Sequence, residues 1–282
     1  MNLCFFVSDI HGSKSRYESL FKQIELEKPK AVFIGGDILP SAFHNFSYSE
    51  SFIDNYLKQR FISLKKSLKS EYPSVFIILG NDDPAIFEQQ FFNVDSLRIW
   101  HYIHNKKISF GDYSIFGYSY VPPTPFLIKD WEKYDIEHKV KTDCIMPENG
   151  KFSVSVKIDY KTSTIETDLL QLTENEDLSK SVFLFHSPPN YTKLDRIHSP
   201  DFLYKQNPEN FHVGSLAISN LICEKKPYLT LHGHIHESSR RTGSWKHQYD
   251  RTLALSAAYH KPELALVKFD LNDLNYCERI LL

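Results

Sequence analysis

The chain has 282 residues, of which 41% are hydrophobic and 24% charged. That composition predicts a folded globular protein long enough to bury a sizeable core, and excludes a disordered or fibrous one. A formal net charge of -2 provides no global field to draw nucleic acid or an anionic membrane, and no stretch approaches the ~20 apolar residues of a membrane span.

The first residues carry no basic segment and no small-residue cleavage site, so a secretory leader is not expected. Cys4, Cys144, Cys223 and Cys277 are far apart and form no CxxC, which suits a reduced cytoplasmic location. Cys4 and Cys223 lie in apolar segments and read as inert core thiols.

In chain order, residues 3–8 form an apolar run that reads as a buried parallel strand. Tyr17, Leu20, Phe21 and Ile24 then recur at helical spacing, residues 31–34 form a second strand, and apolar positions from Phe52 to Leu68 mark a long helix. Residues 75–79 complete a βαβαβ pattern, for which right-handed crossovers predict a parallel sheet. Residues 106–110 and 113–118 read as a hairpin. The less regular stretch 121–180 reads as an insertion, with a Pro-rich start, a strand at 152–160 and a helix near 166–172. Alternation resumes with a strand at 182–185, a helix at 214–224 and a strand at 228–231, and strands at 252–257 and 264–269 close the chain.

Five segments each place metal-ligating residue types just after an apolar strand, where open α/β sheets bind ligands. They are Asp9-Ile10-His11, Gly36-Asp37, Gly80-Asn81-Asp82-Asp83, His186 and Gly233-His234-Ile235-His236. Singly each has an ordinary explanation, such as a capped turn or a hydrogen-bonded core histidine. Together, imidazoles and carboxylates form a donor set that suits Mn, Fe or Zn, with Mg less favoured. Two such ions ~3.5–4 Å apart can clamp a phosphoryl group.

This ordered set, D-x-H, G-D, G-N-x-D, H and G-H-x-H, resembles the signature of the calcineurin-like metallophosphoesterases, and it runs from Asp9 to His236. Flanking stretches such as VPPTPFLIKDWEKYD and HSPPNYTKLDRI are similar to one prokaryotic branch. The resemblance implies one α/β domain over residues 1–282, folded as a four-layer αββα sandwich with two mixed sheets. It implies one metal on Asp9, His11 and His236, another on Asn81, His186 and His234, and Asp37 bridging both. Asp37, Asn81, Asp82 and His186 would carry catalysis. The implied activity is hydrolysis of a phosphodiester or phosphomonoester by metal-bound hydroxide, with a small phosphorylated substrate as partner.

Motif three departs from the family. Asp82 stands where a histidine is usual, and that histidine is thought to protonate the leaving group. A carboxyl group with an ordinary pKa near ~3.9 suits that task poorly. Asp82 is therefore expected as an outer-sphere group rather than a general acid, phosphodiesters are expected to be favoured, and Asp83 is expected to order the loop. The departure also sustains an alternative: a metal-binding interaction scaffold of the same fold with little catalysis. His232 alternates with His234 and reads as a core histidine. His44, His101, His104, His138, His198, His212, His247 and His260 read as surface or structural. Lys193, Arg196, Arg240 and Arg241 follow motifs four and five and are candidates to reach a phosphate. Phe126, Trp131 and Tyr134 are expected to pack the insertion, or to roof the site.

Overall fold

A computed structural model describes residues 2–41, 46–141, 143–155, 158–160, 162–197 and 211–282. In chain order its elements are β1 (Leu3–Val7), α1 (Lys14–Glu27), β2 (Ala31–Gly35), and α2 (Phe46–Phe52) joined to α3 (Lys58–Leu68) by a π-helical turn. Next come β3 (Ser74–Ile78), α4 (Glu88–Asp95), β4 (His101–Tyr102), β5 (Lys106–Phe110), β6 (Tyr113–Tyr118), α5 (Ile165–Leu172) and β7 (Ser181–Phe185). The chain ends with α6 (Leu216–Lys225), β8 (Leu229–His232), α7 (Ser238–Thr242), β9 (Lys246–Gln248), β10 (Leu253–Ser256), β11 (Ala265–Asp270) and β12 (Asp273–Leu281).

The strands form two mixed six-stranded sheets, in the orders β12-β11-β1-β2-β3-β4 and β5-β6-β7-β8-β10-β9. Side-chain alternation along a strand explains how they stack. Phe5 and Val7 of β1 enter a core shared with Leu20 and Phe61 of the helices, whereas Cys4 and Phe6 enter a second core shared with Val182 and Leu184 of β7. On the other side of β7, Phe183 and Phe185 pack against Ile165 of α5 and Ile218 of α6. Strands apolar on both faces thus produce the expected helix–sheet–sheet–helix order in one α/β domain.

The helices follow their sequence signals. Ser13 caps α1, and the buried Tyr17, Leu20, Phe21 and Ile24 form its inward stripe. Thr164 and Thr167 form a reciprocal capping box at α5.

Three expectations need correction. The described part of 152–160 contains no strand. Its polar and aromatic residues instead make local contacts, such as the Asp130 carboxylate accepting from Ser153 N–H at 2.8 Å. Cys223 is exposed, because it lies on the outer face of α6, while Cys4 is buried as expected. The C-terminal part carries more strand than its apolar runs indicate. β12 is a largely exposed edge strand of alternating polar residues that completes the first sheet by antiparallel pairing with β11. No described helix is long and apolar enough to cross a membrane.

Candidate metal centre

Every motif leaves the carboxyl end of a strand, β1, β2 and β3 in one sheet and β7 and β8 in the other, so the site straddles the edge where both sheets end. The turns are sharp. Asp9 (φ 56°), His11 (φ 48°), Asp37 (φ 51°) and His234 (φ 70°) all occupy the left-handed region. Each such residue costs on the order of 1 kcal/mol or more and persists only where neighbours hold it. Here the Asp9 N–H donates to Gly36 O at 3.0 Å and the His11 N–H to Asp37 O at 2.8 Å. The His234 N–H donates to the Asp9 carboxylate at 3.0 and 3.2 Å, joining motif five to motif one. Gly36 has φ 90°, and a Cβ there would lie 2.6 Å from His186 Nδ1, so only glycine fits. Asp83 is fully buried and accepts the N–H groups of Ile38, Leu39 and Gly80, ordering motifs two and three as its position predicts.

The candidate ligands gather into two clusters that share Asp37. Asp9, His11, Asp37 and His236 form one, and Asp37, His186 and His234 the other, the ligand atoms of each lying within 4.8 Å of one another. In the first, His11 Nε2 and His236 Nε2 point at one place, 3.2 Å apart, and His236 Nε2 is 3.2 Å from Asp9 Oδ1. In the second, His186 Nε2 lies 3.0 Å from Asn81 Oδ1 and 3.3 Å from Asp37 Oδ2. The structure therefore brings together all seven residues proposed as ligands.

Groups behind the ligands orient them. His186 Nδ1 lies 2.7 Å from Gly35 O, which fixes the ring with Nε2 facing inward. Asp82 Oδ2 lies 3.3 Å from His11 Nδ1, its Oδ1 accepts from the Ser41 hydroxyl at 3.2 Å, and its N–H donates to Asp37 Oδ1 at 2.8 Å. Asp82 thus stands behind the imidazole of a candidate ligand. The sequence did not point to Ser41, nor to Arg16, whose guanidinium donates to Asp9 O at 2.7 Å. Neither contact leaves a spacing signal.

The electrostatics suit cations. Burial disfavours the Asp9 carboxylate, yet His236 and His186 hold it down to about 2. Burial opposes ionisation of Asp37 too, and His186 and His11 outweigh it, holding the carboxyl well below the usual range. Burial disfavours protonated His11 and His186, but Asp82 and Asp37 respectively lead the groups that raise each to about 9. His234 is pushed down to about 3 by burial and by the neighbouring His186. Without metal, acidic and basic groups pair across the positions where cations would sit. The donor set is imidazole, carboxylate and amide, with one shared carboxylate, and it fits two transition-metal ions.

A cavity of about 880 Å³ opens at the centre, lined by His11, Asp37, Asn81, His234 and His236 together with residues 122–126, Ile136, Glu137 and residues 139–141. The Pro-rich segment therefore lies over the metal-bearing edge. Trp131 is buried and donates from Nε1 to Asp83 O at 2.7 Å, tying that segment to motif three. Tyr134 is buried with its hydroxyl on Glu148, whereas Phe126 faces the cavity, so the trio divides between packing and roofing. Lys193, Arg196, Arg240 and Arg241 do not line the cavity; Lys139 and Lys141 do. Arg196 instead meets His212 at 3.0 Å.

The remaining histidines fall mostly as expected. His232 is a buried histidine bonded to Ser187 O and Thr230 Oγ1. His104 is also structural, accepting the Ser119 N–H at 3.0 Å and packing on Trp131. His44 and His198 lie outside the described residues.

Among curated proteins none matches the chain. One solved structure is similar with a TM-score of 0.61 at 14% identity, covering 99% of this chain and 98% of the other. TT1561 of Thermus thermophilus is similar at a TM-score of 0.56 and 15% identity, with 99% and 98% covered. A dimetal phosphatase from Danio rerio follows at 0.50 and 9% identity, with 94% and 91% covered. At these identities the likeness shows the fold alone. The decisive match is to the family model for calcineurin-like phosphoesterases, which spans residues 4–238; with its sheets and motifs in this order, the chain belongs to the calcineurin-like phosphoesterase family.

Proposed function

We propose that the chain is a dinuclear metal-dependent phosphoesterase that hydrolyses phosphodiesters in preference to phosphomonoesters. The observation that carries this reading is the pair of donor clusters sharing Asp37 at the mouth of a cavity. Asp9, His11 and His236 would hold one ion, Asn81, His186 and His234 the other, and Asp37 both. Mn, Fe or Zn fits these mixed imidazole and carboxylate donors, and Mg fits them least. When bound, the ions supply Lewis-acid activation of water and offset the charge on phosphoryl oxygens. The chain's residues supply the geometry: Gly35 O orients His186, Asp82 orients His11, and the Asp9 carboxylate holds the backbone of His234.

The preference for diesters follows from Asp82. Its carboxylate faces His11 Nδ1 and the Ser41 hydroxyl, both as donors, so it is placed to accept protons rather than to give one to a leaving oxygen. Leaving groups that depart readily as anions need no such help. A carboxylate in place of an imidazole also makes a monoester dianion less welcome than a diester monoanion.

The test is hydrolysis by Mn-loaded protein. Bis(p-nitrophenyl) phosphate should turn over measurably and alkyl phosphomonoesters weakly, and Asp82→His should raise monoesterase relative to diesterase activity. Strong alkyl monoesterase activity that Asp82→Asn abolishes would show Asp82 to be a general acid and overturn the preference. Hydrolysis of no phosphoester with Mn, Fe or Zn would favour the interaction scaffold.

A further inference from the structure

We propose that the cavity beside the metal centre seats a flat, uncharged aromatic group, so that the substrate is an organophosphate ester carrying such a ring system. This inference rests on the phosphoesterase reading and adds to it the class of organic group.

Size is the first argument. The cavity holds about 880 Å³, room for a drug-sized ligand and far more than a phosphoryl group with small alkyl esters needs. Its lining includes large apolar side chains open to solvent. Phe126 is 53% exposed, Tyr191 54% and Leu216 41%, and all three line it. Exposed apolar side chains lining a cavity beside a candidate metal site mark a surface that a ligand covers.

Charge is the second argument. Several charged side chains on the lining are engaged with one another or with the backbone. Lys139 pairs with Glu137, and Lys141 donates to His212 O. The Asp135 carboxylate accepts the Leu216 N–H and the Ser215 hydroxyl at the start of α6. Beyond the metal centre the lining carries Asp82, Asp135, Glu137 and Glu237 against Lys139 and Lys141, an acidic excess that disfavours an organic part bearing a second phosphate or a carboxylate.

Rigidity is the third, and it selects a ring over a flexible chain. Pro122, Pro123 and Pro125 fix the backbone of the wall that carries Phe126. Behind them lies a fully buried ion pair, Lys129 Nζ to Glu132 Oε2 at 2.6 Å. Glu132 accepts the Thr124 N–H at 2.7 Å, and Lys129 donates to Thr124 O at 2.7 Å. On the other wall Tyr191 sits at φ 57°, with its N–H on the Asp195 carboxylate at 3.1 Å. Aromatic surfaces held this firmly suit stacking on a flat ring and lose little freedom on binding.

The experiment holds the leaving group constant. p-Nitrophenyl phosphodiesters whose second ester group is methyl, phenyl, 1-naphthyl or n-octyl are compared with Mn-loaded protein. We expect kcat/KM to rise about 10- to 100-fold from methyl to phenyl or naphthyl, with n-octyl below naphthyl. Phe126→Ala should compress the phenyl-to-methyl ratio. Leu26→Ala, on the exposed outer side of α1, should leave that ratio as it is. Equal kcat/KM across the series, or a preference for n-octyl, would overturn the proposal. Should no member turn over with Mn, Fe or Zn, the phosphodiesterase preference fails, and the cavity is judged by calorimetric titration of diphenyl and dimethyl phosphate. Tighter binding of the diphenyl ester that Phe126→Ala weakens upholds the aromatic seat; equal binding overturns it.

Discussion

The two candidate half-sites differ in how their imidazoles are held. His186 is fully buried, and its Nδ1 faces a backbone carbonyl, Gly35 O, at the end of β2. His11 and His236 keep 27% and 37% of their side-chain surface exposed, and behind His11 stands a side chain, Asp82. A carbonyl at the end of a central strand cannot be changed by substitution, whereas a carboxylate on a loop can. His186 of one half-site is thus held by the sheet, His11 of the other by a replaceable side chain, and residues of both halves line the cavity. The difference suggests a division of labour, with the inner half-site retaining an ion and the outer one setting how a substrate is met.

The largest effect should come from Asp37→Asn, which changes the carboxylate common to both halves. We expect hydrolysis to vanish and metal content, read by elemental analysis, to fall in both half-sites; loss of only one ion would show that Asp37 is not shared. A graded chelator titration should come next. The outer ion should leave first and take the activity with it, while about one ion per chain persists at chelator concentrations that strip the other. Simultaneous loss would erase the distinction between the halves. Smaller again is Asp82→Asn, which weakens support for His11 alone. An outer-shell partner of a ligating histidine is commonly worth about 10- to 100-fold in metal affinity. We expect that loss for the first-released ion and none for the retained one, with diester turnover at saturating Mn changed only modestly.

Most of this arrangement was legible because strand and site signals coincide. Apolar runs such as FFV before Asp9, VFI before Gly36 and FLF before His186 mark strands buried on both faces, and the reactive residues follow at their ends. What escaped were features without periodicity or composition. β12 is polar and exposed, so only its pairing with β11 makes it a strand. The aromatic-rich stretch 152–160 has strand-like composition but no described ladder partner. The basic residues after motifs four and five seemed poised to reach a phosphate by proximity in sequence, yet the cavity wall is supplied by Lys139 and Lys141 from the segment after β6. The role of Asp82 was half legible. Its type argued against proton donation, but only the fold shows it behind His11, because no local signal links residues so far apart in the chain.

The finest test of the comparison uses protons instead of metal. In metal-free protein the His11 and His186 imidazoles are both raised to about 9, above the ~6.5 of an unfolded chain. Between those values the folded state binds more protons than the unfolded one, so stability falls as pH rises. The stabilisation is complete below pH ~6.5 and is lost through about pH 9, at no more than about 1.4 kcal/mol per pH unit for each histidine. Bound metal requires neutral imidazoles, so Mn-saturated protein should show little pH dependence over the same window. Thermal unfolding with and without Mn across that range measures the difference, and metal-free protein that was equally stable at both ends would mean the protons are not held. The two halves should then separate on substitution. The Asp82 hydrogen bond is the largest influence raising His11, whereas Asp37 is the largest raising His186. Asp37 and Asp9 also raise His11, so Asp82→Asn should reduce the His11 share of the slope without removing it and leave the His186 share in place, and more than half of a small effect survives.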